Sequence, residues 1–145
     1  MRLKTFFIFI FFLILSVCYL QERTPVFASN GASHTFYLYS ASSNATAINV
    51  QGENVEQTTK YWKGVKGESV FFDNFDFGDR FVKQTLKEYK AVKVFSESVD
   101  NITCDYYYSS QIYSFVLIGL KRVNLHVIKS QNGITIATPL AFDGF

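Results

Sequence analysis

The chain has 145 residues, with 14 Lys and Arg against 12 Asp and Glu, a net charge of +2 and 18% aromatic residues. That length supports one domain around one core. The excess charge lies in the first 28 residues. Beyond them 11 basic residues face 11 acidic ones, so the rest lacks the long-range field of a nucleic-acid binder.

Met1 to Lys4 form a short basic head, and Phe6 to Leu20 run apolar with Ser16 as the one polar member. A basic head, a short apolar stretch and a small-residue exit predict an export leader. The stretch is short for a membrane span, which needs about 20 residues. Pro25 ends any helix, and Val26-Phe27-Ala28 presents modest side chains before a cut after Ala28. The expected division is therefore a leader over 1–28 and a single domain over 29–145. Two alternatives stand beside cleavage. Glu22 and Arg23 suit an uncleaved anchor with Arg2 and Lys4 held inside, and Leu15-Ser16-Val17-Cys18 resembles a lipobox. Each places the domain outside the cytoplasm.

Residues 29–33 read as a loose start, with His34 solvated beside them. Thr35 to Ser40 alternate, with Phe36 and Leu38 on one face and Tyr37 and Tyr39 on the other. Ala45 to Gln51 form a second strand with Ile48 and Val50 inward. Residues 53–64 are ambiguous, spaced loosely as a helix but rich in β-branched residues. Gly64 and Gly67 bracket a turn, and Ser69 to Phe72 form a short strand.

A helix begins near Asp76 as its N-cap, with Phe77, Phe81, Val82, Leu86 and Tyr89 as one apolar stripe. From Val92 the period becomes two. Val92 to Val99 and Ile102 to Tyr108 flank a turn at Asp100-Asn101, with Tyr106 and Tyr108 opposite Tyr107. Tyr113 to Ile118 and Arg122 to Lys129 flank Gly119 as a hairpin. Asn132-Gly133 predicts the next turn, with positive φ at both residues, before Ile134, Ile136 and Thr138. These elements predict an α+β fold: an antiparallel sheet of about five to seven strands, one main helix and a second short one.

The chemistry is sparse. His126 and Asn124 lie two apart on one strand face, but zinc needs three or four ligands. Asp73, Asp76 and Asp79 do not follow the alternate spacing of a calcium loop and read as helix-capping and surface charge. No Gly-x-Ser-x-Gly elbow or phosphate-binding glycine loop is visible. With Cys18 in the leader, Cys104 has no partner for an intramolecular disulfide and reads as a small buried hydrophobe. No catalytic residue, cofactor or metal is predicted. Asn124, His126, Tyr106 and Tyr108 form the expected contact face for a protein or cell-wall glycan. No nucleic acid is expected as a partner, and membrane contact is expected only through an uncleaved leader. The readings beside this are an envelope hydrolase using His126 with Cys104 or a carboxylate, and a membrane-tethered structural protein of wall or spore assembly.

Val123-Asn124-Leu125-His126-Val127, a polar turn, then Gly133 to Pro139 resembles the end of the YwmB family of exported Gram-positive proteins. Ala137 stands where that family usually has glycine. The resemblance covers about 20 residues. It implies an extracytoplasmic α+β protein of undefined function and supplies no catalytic residues. Some members carry a TATA-box-binding label from fold similarity. A neutral exported domain is a poor DNA binder, so that function does not transfer.

Overall fold

The computed structural model describes residues 8, 10–13, 26–27, 33–39, 45–51 and 65–141. The fold is α+β. Nine strands are described: β1 (Ser33–Tyr39), β2 (Ala45–Gln51), β3 (Val65–Phe72), β4 (Val92–Val99), β5 (Ile102–Tyr108), β6 (Val116–Ile118), β7 (Lys121–Val123), β8 (Leu125–Ser130) and β9 (Gly133–Thr138). One helix, α1 (Phe75–Glu88), joins β3 to β4. Seven strands form an antiparallel sheet in the order β2-β1-β3-β9-β8-β5-β4, and β6 and β7 form a separate ribbon. Residues 10–13 are helical, with the Phe11, Phe12 and Leu13 side chains exposed. No helix among the described residues is long and apolar enough to cross a membrane.

Alternation divides the sheet into two faces. The face under α1 carries Val70 and Phe72 of β3, Ile134 and Ile136 of β9, and Leu125 and Val127 of β8. Val82 of α1, Phe27 and Ile112 complete this core. The opposite face carries Tyr37, Ser69, His126, Ile128 and Ala137, all buried. A sheet covered on both faces explains why Leu125, His126, Val127 and Ile128 of β8 are buried in succession rather than alternately.

Asn74, not Asp76, caps α1: its side chain accepts a 3.0 Å hydrogen bond from Phe77 N. Asp76 instead lies in the first turn, where the positive helix end favours an acid. The expected stripe meets the core through Val82, Phe81, Leu86 and Tyr89, and only Phe77 leaves it. Gly78 and Thr85 are buried beside Val82. A methyl at Gly78 would sit 3.1 Å from Phe72 Cβ and 3.2 Å from Ile134 Cβ. The helix therefore lies close against β3 and β9.

Gly67 is inside β3 rather than in a turn, and its bare Cα faces Thr138 O, 2.7 Å from where a Cβ would stand. The second hairpin is also rearranged. The expected strand from Arg122 to Lys129 breaks at Asn124, leaving β7 in the ribbon and β8 in the main sheet. Between β8 and β9, Ser130 pairs with Gly133, so the turn residues are Gln131 and Asn132. Asp100, at φ 52°, turns β4 into β5 as expected. The ambiguous 53–64 segment and Ala28 lie outside the described residues, as do the side chains of Leu38, Tyr39 and β2.

Candidate functional site

Of the four residues expected to form one contact face, the structure brings Tyr106 and His126 together and places Asn124 elsewhere, in a buried backbone clamp. Asn124 is 0% exposed and His126 3% exposed, so neither is available to a macromolecular partner. Asn124 is a structural clamp. Its Oδ1 accepts from Ser109 N at 2.8 Å, and its Nδ2 donates to Ser109 O at 2.7 Å and Ile112 O at 3.1 Å. A buried side-chain amide with its partners met carries stability rather than recognition. Tyr106 and Tyr108 are half-buried.

His126 belongs to an aromatic ladder running across three strands. Its ring stacks on Tyr106 at 4.4 Å between centroids, and Tyr106 stacks on Phe95 at 4.2 Å. Lys121 Nζ lies 5.3 Å from the centre of Phe95 and caps the row. The registers Tyr106↔His126 and Phe95↔Tyr106 bring these rings together, as cross-strand neighbours share a face. His126 Nδ1 accepts from Ala141 N at 3.4 Å, which holds Ala141 over this strand. Burial pushes the His126 imidazole down to about 4. Burial pushes Tyr106 up to about 12, with Cys104 and Glu97 adding to it. The same two influences, burial first and Glu97 second, raise the half-buried Cys104 thiol away from the thiolate a nucleophile requires. Cys104 and His126 thus share a face, but their surroundings oppose a thiolate–imidazole pair.

A buried polar cluster also escaped sequence reasoning. His34 is completely buried in β1 rather than solvated, and its Nε2 lies 2.7 Å from Glu68 Oε2. The His34 ring stacks on Phe36 at 4.2 Å. Val26 N donates to the other oxygen of Glu68, while Tyr89 OH donates to Val26 O at 3.0 Å. Among the described residues His34 Nδ1 and Thr138 Oγ1 have no hydrogen-bond partner. The available signal was that His34 falls on the same alternation as Phe36, the inward side of β1.

Among the described residues no group of three His, Cys, Asp or Glu side chains comes close enough to hold a metal. A groove of about 350 Å³ lies along α1, lined by residues including Val26, Phe77, Arg80, Phe81 and Glu88. It is remote from the ladder, which faces the other side of the sheet.

The exposed surface presents a different set of residues. Tyr113 is 91% exposed, Leu117 62% and Leu120 100%, with Phe115 also exposed. Leu117 and Arg122 face each other across the β6–β7 ribbon, and the Arg122 guanidinium lies 4.9 Å from the Phe115 ring centre. Val123, on the other side of the ribbon, is buried. Residues 109–124 contain Lys121 and Arg122 but no acid. No family model, no curated protein and no solved structure matches this chain.

Proposed function

We propose that this chain is an exported, non-catalytic protein of the cell surface or envelope that binds a partner through the β6–β7 ribbon. One observation carries the reading: Tyr113, Phe115, Leu117 and Leu120 are exposed together beside Arg122, while Asn124 and His126 are turned inward. Clustered exposed apolar side chains mark contact sites in soluble domains, and aromatic residues with arginine are enriched where partners meet. The leader supports export, and the C-terminal resemblance to the YwmB family agrees with it.

A membrane-tethered form of the same protein is favoured by Val26 and Phe27, which pack into the domain although they precede the expected cut. The test is a photocrosslinking residue at position 120 in intact host cells, combined with protease treatment from outside. Export predicts digestion of the domain without lysis. Contact predicts an adduct at position 120 that disappears in a Leu117→Ser, Arg122→Ser variant. Protection from protease in intact, wall-stripped cells overturns export.

A further inference from the structure

We propose that the β6–β7 ribbon contacts an anionic lipid surface, and that an uncleaved leader holds it there through Val26. The proposal rests on the reading of the chain as exported and supplies the partner class for the ribbon.

Two observations converge. The first is the composition of the ribbon. Leu117 and the tip residue Leu120 point into solvent, and Tyr113 and Phe115 flank them. Arg122 shares the ribbon face of Leu117, and the exposed Lys121 lies beside it over the Phe95 ring, in a stretch without an acid. Apolar side chains that can enter the acyl boundary, aromatic rings at headgroup depth and cations facing phosphate suit a bilayer interface. The long stems of Lys and Arg let their charges stay at the headgroups while neighbouring leucines sit deeper.

The second observation is where the leader joins the domain. Glu68 accepts from Val26 N, and Tyr89 OH donates to Val26 O at 3.0 Å. Phe27 is 1% exposed and packs 6.3 Å from the Phe81 ring centre. Tyr89 O accepts from Ser109 Oγ, and Ser109 is clamped by Asn124, which also holds Ile112 O. Ile112 and Asn124 are the two roots of the segment carrying the ribbon. Val26 and the ribbon root are therefore linked through Tyr89 and Ser109. Five residues separate Leu20 from Val26, and an extended chain covers at most about 3.5 Å per residue. A leader retained in the membrane keeps Val26, and with it the linked ribbon root, within reach of the apolar layer, at about 20 Å for Val26 itself. A cut after Ala28 would remove both the tether and a core phenylalanine.

The experiment uses the full chain, reconstituted in phosphatidylglycerol–phosphatidylcholine vesicles, with Trp62→Phe and Leu120→Trp as a single reporter. Leu120 is fully exposed, so the reporter leaves the core untouched. We expect a blue-shifted emission that brominated lipid quenches at least two-fold more than aqueous iodide does. Lys121→Glu with Arg122→Glu should reverse that order while the leader still keeps the protein on the vesicles. A reporter open to iodide in vesicles but shielded on intact host cells overturns the lipid contact and leaves a protein or glycan partner. A reporter open to iodide in both settings overturns lipid contact and contact surface together. A native protein whose intact mass begins at Ser29 overturns the tether.

Discussion

The Asn124 side chain binds both backbone groups of Ser109, accepting from its N–H at 2.8 Å and donating to its carbonyl at 2.7 Å. Asn124 N also donates to Tyr107 O at 3.0 Å. One residue thus ends β5, starts β8 and holds the intervening segment in place. Asn124→Ala leaves buried backbone groups at Ser109 and Ile112 without partners, at about 1–3 kcal/mol each when water cannot replace them. The expected result is a loss of about 3 kcal/mol in urea unfolding, with Asn124→Asp also destabilising because it cannot donate to Ser109 O and Ile112 O. A change under about 0.5 kcal/mol would show that the clamp is not needed.

Phe27 contributes to the same core as Val82 and Leu125. Truncating a buried phenylalanine removes its burial and leaves a cavity, at about 3–5 kcal/mol. Phe27→Ala should lower stability by that amount. A chain beginning at Ser29 should unfold at lower urea concentration than one beginning at Val26, since it also loses the hydrogen bonds from Val26 to Glu68 and Tyr89. Equal midpoints would place residues 26 and 27 outside the cooperative unit.

The two positive-φ glycines among the described residues predict unequal sensitivities. At Gly133, φ 149°, a methyl would lie 2.1 Å from Phe72 O. At Gly119, φ 61°, a methyl meets nothing within 4 Å. Gly119→Ala should cost only about 1–2 kcal/mol of left-handed backbone strain. Gly133→Ala adds a clash with backbone and should yield little folded protein. Soluble yield and thermal melting of the two variants check this, and equal behaviour would contradict the close approach at Gly133.

His126 predicts a pH dependence with a definite sign. Burial holds its folded value at about 4, whereas an unperturbed histidine titrates near 6.5. Between those values the unfolded chain binds the proton and the folded chain does not, so stability falls as pH falls. The expected loss from pH 7 to pH 4 is on the order of 2–3 kcal/mol, and His126→Leu should remove that slope. Two acids act in a lower window. Asp79 is held below its ordinary value by the hydrogen bond from Lys129. At Asp105 burial pulls upward, but the bonds from Lys93 and Ser96 outweigh it and leave the carboxyl low. Their stabilisation is present above the ordinary carboxylate value and is lost below about pH 4. Unfolding midpoints measured from pH 7 to pH 3 separate the two windows.

Local pattern determined much of this fold. The expected bounds of Ala45–Gln51, Val92–Val99 and Ile102–Tyr108 are those of β2, β4 and β5, because β-branched and aromatic residues between turn residues favour extended chain. The opposition of Tyr107 to Tyr106 also followed from alternation, and the structure places Tyr107 against the core and Tyr106 in the ladder. The main helix was legible from its stripe, but its cap was not, because Asn74 and Asp76 are both good N-caps and only the hydrogen bond to Phe77 N selects one.

What tertiary structure alone decided is burial. Asn124 and His126 look like a polar pair on a strand surface, yet one hydrogen-bonds backbone 15 residues away and the other lies beneath a stacked ring from β5. His34 looks solvated, yet β3 brings Glu68 to it from 34 residues away. Gly67 and Gly133 look like turn residues, and their requirement comes instead from the backbones of β9 and β3 approaching closely. Exposure at Leu117 and Leu120 is invisible in an apolar run for the same reason. A one-dimensional period records which residues share a face, whereas long-range pairing decides whether that face meets water, backbone or another side chain.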